Sequence, residues 1–182
     1  MKSGNWLRNG RINKPKRREN NPLFLFTMNL FDKTPIGGLM RRIKSLNEGR
    51  IFVEVMSEGK VQAYVVKLNT DQMKVDFMNS DGVLLSDVGG EYSDFTMQTG
   101  GKKSKTSVDL YDTGEFHESF RVERVRADSF EINSDPVKDD GTNLLVEWGK
   151  EIEGLTFESL EKTSTFIIDF YVEKIRKHLG TD

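Results

Sequence analysis

The sequence contains no cysteine, and its only histidines are His117 and His178. Without cysteine, the chain cannot form a disulfide, a thiolate zinc site, an iron–sulfur cluster or a cysteine nucleophile. Such a composition is typical of a protein that is assembled in a reducing cytoplasm. Because the two histidines lie far apart in the sequence, histidine ligation of a metal is also disfavoured. We therefore expect no metal and no cofactor.

Long apolar runs are missing as well. The longest one near the start is LFLF at 23–26, whereas a membrane helix needs about 20 continuous apolar residues. The same run is also too short for the apolar core of a signal peptide. We expect a soluble protein that is not secreted and does not contact a membrane.

The net charge of −2 hides an uneven distribution along the chain. Residues 1–22 carry seven Lys and Arg against one acid, Glu19, which gives +6, and the remaining residues carry −8. Pro15 and Pro22 interrupt any helix there, and the segment has too few apolar residues to bury a core. The sequence thus predicts two parts, an extended basic arm at 1–22 and an acidic body at 23–182.

Three interpretations of the arm remain open. It can be a solvated leader, or a hook whose apolar residues Trp6, Leu7 and Ile12 bind a neighbouring subunit. It can also contact nucleic-acid phosphates. Besides Lys2, the cations available for either kind of binding are Arg8, Arg11, Lys14, Lys16, Arg17 and Arg18.

The first half of the body is predicted to be mostly helical. The apolar spacing predicts a helix from Pro35 to Gly49, and residues 50–68 favour a second helix despite their β-branched residues. Asp81-Gly82 lies between two apolar runs, which predicts a β-hairpin around 79–82. Glycines and lysines follow, so we interpret about 69–106 as an inserted hairpin and loop.

The second half is predicted to contain a small sheet and a long helix. Residues 120–126 and 129–134 alternate apolar and polar residues, which indicates an antiparallel strand pair. Residues 143–149 form a short helix or strand. A terminal helix follows Thr156 and ends at Gly180, with a predicted apolar stripe at Leu160, Ser164, Ile168, Tyr171, Ile175 and Leu179. The fold class is therefore α+β, with a small antiparallel sheet packed by helices that include a long C-terminal one.

The sequence gives little basis for catalysis. His117 lies near Ser119, but alternate residues of an extended segment point to opposite faces, and no oxyanion-stabilising turn is evident. His178 suits a solvated position at the end of the terminal helix. Paired carboxylates such as Asp139 and Asp140 are usual on an acidic surface, so a small hydrolase is a weak alternative. We expect a protein that is not an enzyme.

The segment DLYDTGEFHESF at 109–120 predicts a structural corner. The side chain of Asp112 or Thr113 can accept a hydrogen bond from a following backbone amide, and Gly114 permits a positive φ. Phe116 and Phe120 would then lie on one side of a short helical turn that enters the first strand.

The region from about 107 to 179 resembles the tail-completion proteins of tailed bacteriophages, also called neck or minor tail proteins of the lambdoid type. In that family an Asp-Thr-Gly triplet, an apolar residue and a serine open the sheet, and a Tyr/Val-Glu-Phe-Gly segment follows. Here the first element matches at Asp112, Thr113, Gly114, Phe116, Ser119 and Phe120, and the second at Val146, Glu147, Trp148 and Gly149. The chain departs from the family pattern at Lys150, where a threonine is usual, and it lacks the Arg-Pro of the closing segment.

The resemblance implies a virion structural protein that is assembled in the bacterial host cytoplasm. Such a protein would join a homo-oligomeric ring at the neck or tail, next to portal-adjacent or tail proteins, and would need no catalytic residue. The basic arm could bridge to the acidic body of the next copy or touch DNA non-specifically. The alternative is a nucleic-acid-binding accessory protein that uses the arm.

Overall fold

A computed structural model of the protein describes residues 34–102 and 104–181. The chain divides into two compact units, Met1–Lys44 and Ser45–Asp182. The described part of the first unit is helix α1, Pro35–Lys44, whose first turn is closed by a hydrogen bond from Gly37 N to Thr34 Oγ1 (3.1 Å). The basic arm, its boundary after residue 22, and residues 23–30 lie outside the described residues.

The predicted helix from Pro35 to Gly49 is too long. α1 ends at Lys44, and a new helix, α2, begins at Glu48. The reason is Asn47, which has an extended backbone and accepts a hydrogen bond from Arg50 N (2.9 Å). Asparagine in this conformation is a preferred residue for starting a helix, so Gly49 belongs to the first turn of α2.

Helices α2 (Glu48–Met56) and α3 (Gly59–Lys74) confirm the helical interpretation of residues 50–68. Val55, Met56, Val61, Val65 and Met73 are fully buried in the core. The β-branched residues adopt helical conformation here because they form one continuous apolar face, and burial of that face outweighs their weak intrinsic preference.

The long C-terminal helix α8 (Phe157–Leu179) contacts both α2 and α3. Thr156 caps its start and Gly180 ends it in the left-handed conformation, as predicted. The predicted apolar stripe is partly wrong, since Ile168 is 56% exposed and Ser164 is exposed. Steps of four residues drift around a helix of 3.6 residues per turn, and the face turned to the core holds Ser159, Thr163, Phe166, Ile167, Phe170, Tyr171 and Ile175.

The predicted antiparallel strand pair is confirmed, although it is short. β1 (Arg121–Glu123) pairs with β2 (Glu131–Asn133), with Val122 opposite Ile132. β1 contacts α3. The pairing stops after Glu123 because Arg124 has a φ of +48°, which no regular strand can continue.

The region predicted as an inserted hairpin begins inside the core. Gln72 on α3 donates a hydrogen bond to Gly154 O (3.1 Å) and accepts one from Thr156 N (2.8 Å). The hairpin at 79–82 consists of a turn with one β-bridge, Met78 to Leu84, and the run after it is helix α4 (Leu85–Gly89) and not a strand. Leu85 is fully buried, and burial of this residue in a helical turn replaces the expected strand pairing. A further helix, α5 (Asp94–Thr99), follows.

The remaining elements are short and connect the sheet to α8. They are α6 (Glu115–Glu118), α7 (Leu144–Trp148) and a 3₁₀ turn at Lys150–Ile152. The described residues therefore form an α+β fold, with helices around a two-stranded antiparallel sheet and a long helix at the C-terminal end. None of the helices in the described part of the chain is long and apolar enough to cross a membrane.

Candidate functional site

The Asp-Thr-Gly segment forms the predicted corner at the start of α6. Gly114 has a φ of +101°, in the left-handed region. An added Cβ would lie 3.1 Å from the hydroxyl oxygen of Tyr111, so this position favours glycine on both grounds. Thr113 Oγ1 accepts a hydrogen bond from Glu115 N at 3.4 Å. Of the two candidates for that role, Thr113 and Asp112, the structure selects the threonine.

The aromatic pair of the motif lies on one side of this turn, as expected. The rings of Phe116 and Phe120 meet edge to face, with their centroids 4.9 Å apart. Phe120 is buried, and it immediately precedes β1. The pair therefore anchors the corner in the core and sets the direction in which the chain enters the sheet.

Ser119 connects the corner to the turn at 135–141. Its hydroxyl donates to Phe116 O (2.7 Å) and accepts from Asp135 N (2.8 Å). Arg121 reinforces the same connection through an ion pair with Asp135 (3.2 Å). Ser119 thus has a defined structural task, which is to hold together two chain segments that lie 16 residues apart in sequence.

A cleft of about 350 Å³ lies between the corner and the turn at 135–141. Its apolar lining includes Leu110, Phe116 and Leu144. A hydrogen bond from Thr142 N lowers the pKa of Asp140 below its ordinary value. Among residues 34–102 and 104–181, no group of three acidic or histidine side chains could hold a metal ion. The carboxylates around the cleft are Asp112, Glu115, Asp135, Asp139 and Asp140, with Lys138 beside them.

A polar cluster supports the corner from behind. Asp109 Oδ1 accepts hydrogen bonds from Tyr92 Oη (2.7 Å), Lys102 Nζ (2.8 Å) and Tyr111 N (2.9 Å). Burial would raise the pKa of Asp109, but these hydrogen bonds outweigh that effect and hold the pKa below its ordinary value. Burial and the Asp109 carboxylate together raise the pKa of Tyr92. The cluster ties the loop after α5 to the segment before α6.

His117 is a structural residue of α6 and is only 4% exposed. Its Nε2 lies 2.8 Å from the backbone oxygen of Asp109 and donates to it, while Nδ1 is buried without a hydrogen-bond partner. Burial lowers the pKa of the imidazole. The prediction that His117 lies on an extended segment is wrong, since residues 115–118 are helical. His178 is exposed at the end of α8 as predicted, with Nε2 3.2 Å from Ser45 Oγ.

The second motif element lies on α7 and is divided between the core and the surface. Trp148 is buried, and Gly149 has a φ of +80°. Glu147 is exposed, and Val146 has 81% of its surface exposed, which is the largest exposed fraction among the large apolar residues described. Packing and backbone geometry therefore account for Trp148 and Gly149, whereas Val146 and Glu147 are available for contact with another molecule.

The chain contains an internal duplication that was not predicted from the sequence, and Trp148 belongs to its second copy. Residues 77–90 and 136–149 have the same architecture, a turn at Asp81-Gly82 or Asp140-Gly141 followed by one short helix, α4 or α7. Each residue number in the second copy is 59 higher, as for Gly82 and Gly141. Both copies carry Asp-Gly, a leucine three residues after that glycine, and another glycine eight residues after it, a sequence pattern from which the duplication could have been recognised.

The two copies also share their backbone geometry. Leu85 N donates to Phe77 O (2.7 Å) in the first copy, and Leu144 N donates to Pro136 O (2.9 Å) in the second. α4 and α7 contact each other. Gly89 and Trp148 occupy equivalent positions in the two copies, and they meet at this contact. The positive-φ glycines also correspond, at Gly82 (73°) and Gly141 (85°), and at Gly90 (92°) and Gly149 (80°).

The cleft is lined by residues of the first motif element, Asp112, Thr113, Gly114, Phe116 and Ser119, whereas Val146, Glu147, Trp148 and Gly149 of the second element do not line it. The predicted arm residues, Trp6, Arg8, Arg11, Lys14, Lys16, Arg17 and Arg18, lie outside the described residues. Comparisons of the chain with protein-family models, curated proteins and solved structures found no significant match.

Proposed function

We propose that the protein is a structural component of a tailed-bacteriophage virion, located at the neck or tail, where it acts by ring assembly and not by catalysis. The observation that carries this proposal is the ordered motif combination of the second half. An Asp-Thr-Gly corner, an antiparallel strand pair, a Val-Glu-Trp-Gly helix and a long terminal helix follow one another, as in the tail-completion proteins that the sequence resembles.

The distribution of buried and exposed motif residues supports the same proposal. Gly114, Phe120, Trp148 and Gly149 are explained by backbone geometry and packing inside one chain. Val146 is exposed on the same short helix. An exposed apolar side chain in such a motif suits a contact between neighbouring subunits, where many small contacts add up around a closed ring.

The proposal is tested by the mass of the purified protein and by electron microscopy of its complexes. We expect rings of uniform diameter, either of the protein alone or with neck and tail components, and incorporation into particles at the head–tail junction or the tail end. Val146→Asp should reduce incorporation without unfolding the chain, and Glu115→Gln serves as a control at an exposed position of the corner segment, outside α7. A protein that never enters a particle would contradict the proposal.

A nucleic-acid-binding accessory protein is the second candidate, and the +6 charge of residues 1–22 favours it. Phosphate contacts release counterions, so affinity for duplex DNA should fall steeply with salt, with a slope of about −0.9 per phosphate neutralised. The variant K14Q/K16Q/R17Q/R18Q should then reduce the slope. Weak binding with a flat salt dependence would leave the assembly function as the better account.

A further inference from the structure

An apolar segment precedes α1 in the sequence. Seven of the nine residues at 23–31 are large and apolar, and the two others are Thr27 and Asn29. Transfer of a Leu or Phe side chain from water into the interior of a protein is favourable, roughly in proportion to the apolar area that is removed from water. A segment of this composition therefore gains most when another protein surface covers it. The segment itself lies outside the described residues.

A groove suited to such a segment crosses the Ser45–Asp182 unit beside β2. Its volume is about 850 Å³, in the upper part of the range of about 300–1,000 Å³ found for ligand-binding pockets. Leu160 on α8 lines this groove, and 43% of its surface is exposed and free to be covered by a bound segment. Its apolar lining consists of Phe52, Phe130, Ile132, Leu145, Leu155 and Leu160.

The edge of β2 borders the groove. Six consecutive residues, 128–133, line it, and the last three are the whole of β2. Because successive side chains of a strand point to opposite faces, a groove that is lined by all three residues of β2 follows the strand edge and does not lie over one face. The sheet of the described residues has two strands, so β2 is paired on one edge only, by β1. An unpaired edge next to apolar pockets is the arrangement that binds extended apolar segments.

The charges that line the groove favour residues 23–31 over the basic arm at 1–22 as the segment that binds there. Arg124 and Lys150 stand beside Asp128, Glu131 and Glu153, so both signs are present. Arg124 is moreover already paired with Glu131 (2.9 Å). A groove with this balance offers the +6 arm at 1–22 little electrostatic attraction, whereas its apolar lining complements residues 23–31.

We propose that residues 23–31 of one copy bind in the β2 groove of a second copy. This inference rests on the proposed assembly function and gives it a specific contact. The segment and the groove are different surfaces, so the contact is heterologous, and each copy has one donor segment and one acceptor groove. Such a contact repeats from copy to copy and closes into a ring when the rotation permits.

The experiment uses three variants of the full-length protein. F24D/F26D changes the donor segment, and L160K changes the groove at an exposed position of α8. I168K is the matched control, because Ile168 is exposed on the same helix and does not line the groove. Light scattering and sedimentation should show an oligomer for the wild type and I168K, and a monomer for F24D/F26D and L160K. Circular dichroism should show all four folded.

Mixing the two defective variants tests the direction of the contact. F24D/F26D retains its groove and L160K retains its segment, so the pair should form a 1:1 complex that grows no further. A synthetic peptide of residues 22–32 should bind the F24D/F26D protein, and the additional change L160K should weaken this binding at least tenfold, whereas I168K should not. A folded F24D/F26D protein that still forms the wild-type oligomer would overturn the proposal.

A monomeric wild type whose thermal stability falls in F24D/F26D would also overturn it, because the chain would then cover its own segment. The proposal would also be overturned if the peptide bound equally well to F24D/F26D proteins that carry L160K and to those that carry I168K. Failure of the proposed virion function looks different. In that case, the oligomer forms through segment and groove but does not enter particles. If F24D/F26D enters particles as the wild type does, the proposed virion function is supported, and the proposed contact between residues 23–31 and the β2 groove is wrong.

Discussion

The indole ring of Trp148 lies directly against the backbone of Gly89. A Cβ added to Gly89 would be 2.4 Å from Trp148 Cε3 and 2.5 Å from Cδ2, closer than side-chain carbons approach one another. The two residues occupy equivalent positions in the duplicated turn-helix units at 77–90 and 136–149. One copy thus supplies a large ring and the other supplies the space for it, and this difference allows α4 and α7 to contact each other.

Gly89→Ala should therefore destabilise the protein by about 1–3 kcal/mol, the usual cost of overfilling a packed site. Chemical denaturation followed by circular dichroism measures the loss. Gly59→Ala is the control, since no atom lies within 4 Å of its added Cβ, and it should be neutral or stabilising by up to about 1 kcal/mol. Equal stabilities of the two variants would mean that the contact with Trp148 is loose.

Local pattern was enough to predict part of this fold. The Thr156 cap, the Gly180 stop, the antiparallel strand pair and the corner at Gly114 each depend on a few neighbouring residues, and all four are present. The rotation of α8 was not predicted, because it depends on partners distant in sequence. Phe166, for example, faces the core by stacking on Tyr64, with the ring centroids 4.0 Å apart.

Only the part of the candidate site that depends on local sequence could be predicted. Gly114 and the Phe116–Phe120 pair follow from their own spacing, whereas the role of Ser119 depends on Asp135 and could not be inferred locally. At Asp81-Gly82 the turn was predicted correctly, but the strands were not. Burial of Leu85 in α4 is a tertiary effect that overrides the preference of a short apolar run.

Ser119→Ala should loosen the connection between the corner and the turn at 135–141. The variant loses the hydrogen bond that Asp135 N donates to the hydroxyl, so a loss of about 0.5–1.5 kcal/mol is expected. Ser129→Ala removes an exposed hydroxyl that donates a hydrogen bond to the carboxylate of the adjacent Asp128, and it should change stability by less than about 0.5 kcal/mol. Hydrogen exchange at Asp135 should accelerate only in Ser119→Ala.

His117 should make stability depend on pH between the ordinary histidine value and mildly acidic pH. Burial lowers its folded-state pKa below 6.5, so the unfolded chain takes up a proton that the folded chain excludes. The stability that comes from neutral His117 is therefore fully present above pH 6.5, and it decreases as the pH falls toward the pKa of His117 in the folded state. Lys74 and Lys102 add to the effect by disfavouring a second positive charge nearby.

The measurement is the free energy of unfolding across this pH range in the wild type and in His117→Phe. His117→Phe should flatten the curve below pH 6.5 relative to the wild type, whatever its effect at neutral pH. A wild-type curve that coincides in slope with that of His117→Phe would show that this imidazole is protonated as easily in the folded state as in the unfolded one.

Asp109 and Lys102 should show strong coupling in a double-mutant cycle. Their side chains retain only 22% and 14% of their exposure, so either charge left alone is poorly solvated. Asp109→Asn should cost about 1–3 kcal/mol, because Lys102 loses its ion-pair partner and keeps only the carbonyl of Tyr111 as an acceptor, whereas the double variant D109N/K102M removes both charges and should recover part of that loss. The cycle isolates the interaction between Asp109 and Lys102, because the other contacts that each single change removes cancel in the difference.

Asp94 and Lys105 form an exposed ion pair at 2.6 Å, and the matching cycle there should give less than about 1 kcal/mol. Similar coupling energies in the two cycles would show that water solvates Lys102 as freely as Lys105.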